Sequence, residues 1–214
     1  MFLQVFEDLY AFLWDDLTQN NCNTYLINAN KKILIDPGHQ HLFAHLIKEL
    51  SHVNLSLEDI DLVLVTHGHP DHVGGVTSLA PSTQFALAAK EYRFMQSVSR
   101  YAITRQPDFL LSPGALTCGE ILLECIETPG HSPGSLCLYW PERKTLLSGD
   151  LLFNQGIGRT DLPGGNSQEL KDSIMKVRAL DIEMVLCGHG DIVAGKEAVQ
   201  KNFSFITQVL FQYL

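Results

Sequence analysis

The sequence predicts an α/β fold built from two sheets with helices outside them. Two patterns point there. The first forty residues are short apolar runs broken by turn signals, which reads as strand after strand. Beyond them strand-like and helix-like stretches alternate, the order expected where helices cover sheets. No Ser/Gly/Pro-rich linker, charge block or internal repeat interrupts the chain, so residues 1–214 are expected to form one domain.

Phe2–Phe6 and Leu9–Trp14 are apolar, Cys22–Asn28 is rich in Tyr and Ile, and Lys31–Asp36 ends at Pro37-Gly38, a turn pair. His39–Leu50 has helical spacing, with Leu42, Leu46 and Leu50 on one face. Leu62–Val65 and Gln84–Ala88 are short apolar strands, and Lys90–Arg100 is helical. Ile121–Ile126, Ser135–Trp140 and Lys144–Leu147 read as strands. Asn166 is placed to cap a helix, with Glu169 three residues on. Met184–Cys187 is the last strand and Glu197–Leu210 a closing helix.

Composition narrows the function. With 45% hydrophobic and 18% charged residues the chain is an ordinary globular protein. A net charge of −9 argues against nucleic acid as a partner, because phosphate binding needs surplus Lys and Arg. The same charge gives no long-range help to an anionic substrate, which must rely on local donors. The five cysteines (Cys22, Cys118, Cys125, Cys137, Cys187) form no C-x-x-C pair and mostly sit in apolar runs, as buried free thiols of a reducing compartment do. Met1–Asp8 has no basic start and no long apolar stretch, so neither a signal peptide nor a membrane span is expected and the cytoplasm is the expected location.

Chemistry concentrates in Thr66-His67-Gly68-His69-Pro70-Asp71-His72, directly after an apolar strand. Gly68 and Pro70 argue against a helix, so the side chains are expected to fan out from a tight loop. His67 and His69 then reach one metal while Asp71 and His72 turn to a second. Neutral imidazole and carboxylate suit Zn²⁺, and also Fe or Mn. The bland reading, a polar surface loop, has to accept three histidines that repel one another below neutral pH. Three further candidates follow predicted strands, each beside glycine: His131 in Thr128-Pro-Gly-His, Asp150 after Ser148-Gly149, and His189 after Cys187-Gly188. Glycine there lets the backbone turn sharply so that the side chain points back over the strand ends.

Taken in order, His67-x-His69-x-Asp71-His72, His131, Asp150 and His189 resemble the metallo-β-lactamase superfamily, over about Asn23 to Gly190. The resemblance implies an α/β fold that is a four-layer αββα sandwich, its two sheets mixed or mostly antiparallel. It implies two divalent ions, zinc being expected and iron or manganese the alternatives. His67, His69 and His131 would hold one, Asp71, His72 and His189 the other, and Asp150 would bridge them. Asp71 and Asp150 would be the catalytic carboxylates.

Gly149-Asp150, followed by Gly156-Ile-Gly-Arg-Thr-Asp-Leu-Pro-Gly-Gly165, is similar to the glyoxalase II-like (hydroxyacylglutathione hydrolase) branch. That branch implies a small-molecule thioester such as an acyl-glutathione, attacked by a hydroxide shared between the metals, with thiolate leaving unaided by a strong acid. Persulfide dioxygenases share a similar Gly-Arg-Thr-Asp stretch, and the alternative is one Fe(II) held by His67, His131 and Asp150. A non-enzymatic metal-binding module would be expected from a broken ligand set, and this set is intact. The missing export signal disfavours a β-lactamase, and the acidic charge a nuclease. Only 25 residues follow His189, which matches the short bacterial forms without a separate glutathione-binding helical domain. Cys187 stands where proline is common in the family.

Other polar residues have plainer readings. His41 and His45 stand four apart on a helix, but nothing near them in sequence completes a site, so they read as a solvated face, as do His39 and His52. Arg159 and Asp161 read as an ion pair shaping their loop, with substrate contact as the alternative. Asp191 reads as a solvated turn acid, with support of the last ligand from behind as the alternative. Tyr92, Arg93, Tyr101 and Arg105 lie where this family builds its substrate-side wall, and none is singled out.

Overall fold

The computed structural model describes residues 1–98 and 103–214, which divide into two compact units. The Arg100 end of the predicted helix and Tyr101 lie outside the described residues.

The first unit, Met1–Leu111 with Thr117–Ile121, carries a seven-stranded sheet whose strands follow one another in chain order. They are β1 (Phe2–Phe6), β2 (Leu9–Phe12), β3 (Thr24–Asn28), β4 (Lys32–Ile35), β5 (Leu62–Leu64), β6 (Gln84–Ala88) and β7 (Phe109–Leu111). The pairs from β1 to β4 are antiparallel and those from β4 to β7 parallel. The change of direction follows from the connections. Parallel neighbours need a crossover, and α1 (Ala44–Ser51), α2 (Pro70–Val73) and α3 (Ala89–Ser97) supply the three required. These helices lay Leu46, Leu50, Val73 and Met95 on one face of the sheet, against Leu34, Val63, Val65 and Phe85.

The second unit is Ser112–Leu116 with Leu122–Leu214. The second large sheet contains β8 (Gly114–Cys118), β9 (Ile121–Glu127), β10 (Leu136–Trp140), β11 (Thr145–Gly149), β14 (Met184–Cys187) and β15 (Val193–Ala194), in the order β15-β14-β11-β10-β9-β8. β12 (Leu152–Phe153) and β13 (Gly156–Ile157) form a separate hairpin after β11. α4 (Ser167–Arg178) is the crossover between the parallel strands β11 and β14, and α5 (Lys196–Gln208) follows β15. Leu170, Ile174 and Val177 of α4 and Val199, Phe203 and Ile206 of α5 share one core with Tyr139, Leu146 and Val185. Two large mixed sheets with flanking helices are the architecture expected.

Most predicted elements stand within one to three residues of their expected bounds. The exception with chemical meaning is Pro70. It opens the one-turn helix α2 instead of forbidding it, because at the first helical position its missing N–H costs nothing and its φ is already helical. The helix expected over His39–Leu50 is split into a 3-10 turn at Gln40–Leu42 and α1. No helix among the described residues is long and apolar enough to cross a membrane.

Asn166 caps α4 as expected, its side-chain oxygen accepting the Gln168 and Glu169 N–H groups, both at 3.0 Å. Replacing it by Ala should cost about 1 kcal/mol in urea unfolding, while Asn166→Asp should retain nearly all of that. All five cysteines are free and buried. Burial pushes the Cys22 thiol up to about 11 and those of Cys137 and Cys187 to about 12, because an interior thiolate loses its hydration. At pH 8 these three should therefore resist a disulfide reagent in the native protein and react only after denaturation; fast native labelling of these three thiols would refute the burial.

Candidate metal centre

In the first unit, His67, His69, Asp71 and His72 follow β5 and are all buried. Their anchor is Asp36, at the end of β4, a residue sequence reasoning used only to mark a strand end. Its backbone is left-handed (φ 54°), a conformation Asp tolerates better than most residues. That turn buries a carboxylate with three donors around it. Oδ1 accepts the Thr66 N–H at 2.8 Å, and Oδ2 accepts the Thr66 hydroxyl at 2.7 Å and His72 Nδ1 at 2.8 Å.

These bonds fix tautomers. A carboxylate only accepts, so His72 carries its proton on Nδ1 and its lone pair on Nε2. The single Thr66 hydroxyl hydrogen goes to Asp36, so Thr66 must accept from His67 Nδ1, 3.1 Å away. The His67 lone pair is then also on Nε2, which lies 3.1 Å from His69 Nδ1. Two further ties hold the loop. Asn20 donates to Asp71 Oδ2 at 2.7 Å, and the buried Glu91 of α3 accepts the Gly68 N–H at 2.8 Å.

The second unit brings His131, Asp150 and His189 together. Nε2 of His131 lies 3.4 Å, and Nε2 of His189 3.5 Å, from the same Asp150 oxygen, Oδ2. Asp150 leaves β11 where the β11–β14 register slips between Leu147 and Gly149. Its surroundings admit only glycine at two places: a Cβ on Gly188 would stand 2.2 Å from Asp150 Oδ1, and one on Gly158 would stand 1.9 Å from the Asp150 carbonyl oxygen. The carbonyl of Arg159 accepts His131 Nδ1–H at 2.8 Å, leaving that lone pair on Nε2 as well.

The Gly-Arg-Thr-Asp loop therefore acts on His131 through its main chain. The Arg159 side chain is turned to Asp161 in a two-pronged ion pair, both contacts 2.7 Å, and the guanidinium hydrogen bonds hold the Asp161 carboxyl near 2. Among the wall candidates, Arg105 is tied to the Thr83 carbonyl and Asp108 and lies over the Phe85 ring, while Tyr92 packs on the first core.

Each set fits divalent ions. Two donor atoms bound to one tetrahedral cation at about 2.0–2.1 Å lie about 3.3 Å apart. The separations of 3.1, 3.4 and 3.5 Å within the two sets match that spacing. His67, His72 and His131 are oriented by hydrogen bonds on their far nitrogens, and carboxylates complete the donor set, as metal ligation requires.

Asp36→Asn keeps the volume but places an amide where a carboxylate accepts three hydrogen bonds. We expect a 10–100-fold loss of metal affinity in chelator competition, with the far-ultraviolet circular dichroism unchanged. Undiminished metal retention would remove Asp36 from the account.

Comparison with known proteins agrees with this chemistry. The family model for the metallo-beta-lactamase superfamily matches residues 17–189. Hydroxyacylglutathione hydrolase GloC of Haemophilus influenzae is 30% identical over 187 residues, covering 80% of this chain and 86% of that protein. The crystal structure of the BLEG-1 B3 metallo-beta-lactamase is 32% identical with a TM-score of 0.72, covering 87% of this chain and 94% of that one. The structure of TTHA1623 in a di-iron-bound form is 29% identical with a TM-score of 0.70, over 87% and 92% of the two chains. With all seven candidate ligands inside the matched span, the chain belongs to the metallo-β-lactamase superfamily.

Proposed function

We propose that this chain, working as one domain of residues 1–214, is a cytoplasmic binuclear hydrolase of a small thioester such as an acyl-glutathione. His67, His69 and His131 are assigned to one divalent ion, Asp71, His72 and His189 to a second, and Asp150 to both. Zinc is the expected metal, with iron or manganese suited to the same donors. The observation that carries the reading is the similarity to GloC across four-fifths of the chain, combined with an intact ligand set. The di-iron form of the similar TTHA1623 supports a pair of ions.

When bound, the two ions supply a water acidified towards neutral pH and an electrophilic pull on a carbonyl oxygen. The chain's own groups prepare for that chemistry. Asp36, Thr66 and the Arg159 carbonyl hold protons on the far nitrogens of His72, His67 and His131, so these imidazoles present lone pairs without rearranging. Asp150, half-buried between His131 and His189, can accept a proton from a water and aim it. A thiolate leaves without a strong acid, so the reading asks no residue to be one.

The test is turnover of lactoylglutathione by metal-loaded and metal-stripped protein, with a chromogenic cephalosporin run in parallel and metal counted by elemental analysis. We expect thioester hydrolysis that disappears on stripping and about two ions per chain. Thioester turnover no higher than in the stripped control, with cephalosporin cleaved instead, would reverse the substrate assignment. One iron per chain with oxygen uptake on a glutathione persulfide would replace hydrolysis by oxygenation.

A further inference from the structure

Among the candidate ligands of the second unit, His189 is the most exposed. Its side chain is 28% accessible, against 3% for His131. Gly188 and Gly190 flank it, the latter at a φ of 71°, so the backbone on either side carries little stiffness of its own. An imidazole in that setting has room to turn away from Asp150. The structure places an aromatic ring against it. Phe153, the last residue of β12, meets His189 edge-on, with ring centroids 5.9 Å apart and planes at 77°, an arrangement aromatic pairs prefer.

The ring of Phe153 is itself held in place. β12 and β13 have two residues each, too little for a hairpin to stand alone. The turn between them puts Gln155 in left-handed backbone (φ 54°), which a non-glycine residue adopts only at a cost. Asn202 of α5 offsets that cost. Its side chain reaches across the turn: Oδ1 accepts the Gln155 N–H at 2.7 Å, and Nδ2 donates to the Phe153 carbonyl at 2.9 Å. Asn202 is buried, so losing either bond would leave a polar group unpaired in the interior. One amide thus fixes the backbone on both sides of Asn154, and with it the direction of the Phe153 side chain. Val199, Phe203 and Ile206 of α5 are buried in the core of the second unit, which gives Asn202 a rigid base. Gly156, opposite Phe153 in the hairpin, leaves the ring its space: a Cβ there would stand 3.3 Å from Phe153 Cβ and Cδ2.

We propose that Phe153 and Asn202 are positioning residues for His189. Phe153 holds the imidazole with Nε2 towards Asp150, 3.5 Å from Oδ2, and Asn202 holds Phe153. The inference rests on the assignment of His189 to a metal ion. It gives the closing helix α5 a part in metal binding, although no candidate ligand stands on that helix. Loosening the hairpin should weaken the ion assigned to His189 and spare the other.

The experiment measures zinc affinity of the full chain by chelator competition. The wild type is compared with Asn202→Ala, Phe153→Ala, Phe153→Tyr, His189→Ala and Val199→Ala. The last removes packing from the same helix but neither bond to the hairpin. N202A and F153A should hold one ion as the wild type does and the other about 10–100-fold more weakly. F153Y keeps the ring and should recover most of that loss, and V199A should bind as the wild type does. In metal-free protein, the ring-proton NMR signal that is missing from H189A should move in N202A, as the ring of Phe153 turns away. F153A alters a partly buried residue, so the comparison survives if N202A folds poorly. Wild-type affinities in N202A and F153A, beside weakened binding in H189A, would overturn the positioning role and leave the metal assignment standing. Unchanged binding in H189A would overturn the assignment and this inference with it. An equal loss in V199A and N202A would reduce the effect to helix packing and also overturn it.

Discussion

The carboxylate of Asp36, 2% exposed, accepts hydrogen bonds from a backbone N–H, a hydroxyl and an imidazole in the protein interior. Bonds to a buried charge are stronger than those between neutral groups, and losing one leaves an unpaired charge in a medium that cannot solvate it. The end of β4 and the start of the histidine loop, thirty residues apart, are thereby clamped together. Thr66 stands at the centre of the clamp because its backbone and hydroxyl both serve Asp36 while its lone pair holds His67. His67, through Thr66, and His72 directly are both oriented from this one residue.

The second unit solves the same problem differently. There the imidazole is held by a peptide carbonyl, and the carboxylate is given room by glycines that let two segments close over it. A slip in the β11–β14 register puts Asp150 at the turn where β11 ends. Parallel pairing makes this arrangement natural, because β11 and β14 point the same way and deliver Asp150 and His189 to the same end of their sheet. The crossover α4 that parallel pairing demands is the one capped by the Asn166 side chain.

Much of this was legible in the sequence, and what was not has physical causes. The candidate ligands announced themselves because His and Asp beside Gly, after apolar runs, have few other uses. The groups that orient them did not. Asp36 looked like the end of a strand, because no glycine precedes it as Gly149 precedes Asp150. The Arg159 carbonyl could not be found at all, since every residue has one and only the fold says which is aimed. Pro70 misled because its effect depends on position within a helix, and one-turn helices leave no periodic trace. The strands β7, β12, β13 and β15 are two or three residues long, too brief for alternation to declare itself.

The contrast between the two anchors bears on how such a chain tolerates change over evolutionary time. His72 depends on the side chain at position 36, where nearly any replacement removes the acceptor. His131 depends on a main-chain oxygen at position 159, which every amino acid supplies. The loop around Arg159 can therefore drift in sequence, and acquire new recognition properties through its outward-facing side chains, without the imidazole beneath it ever losing its support.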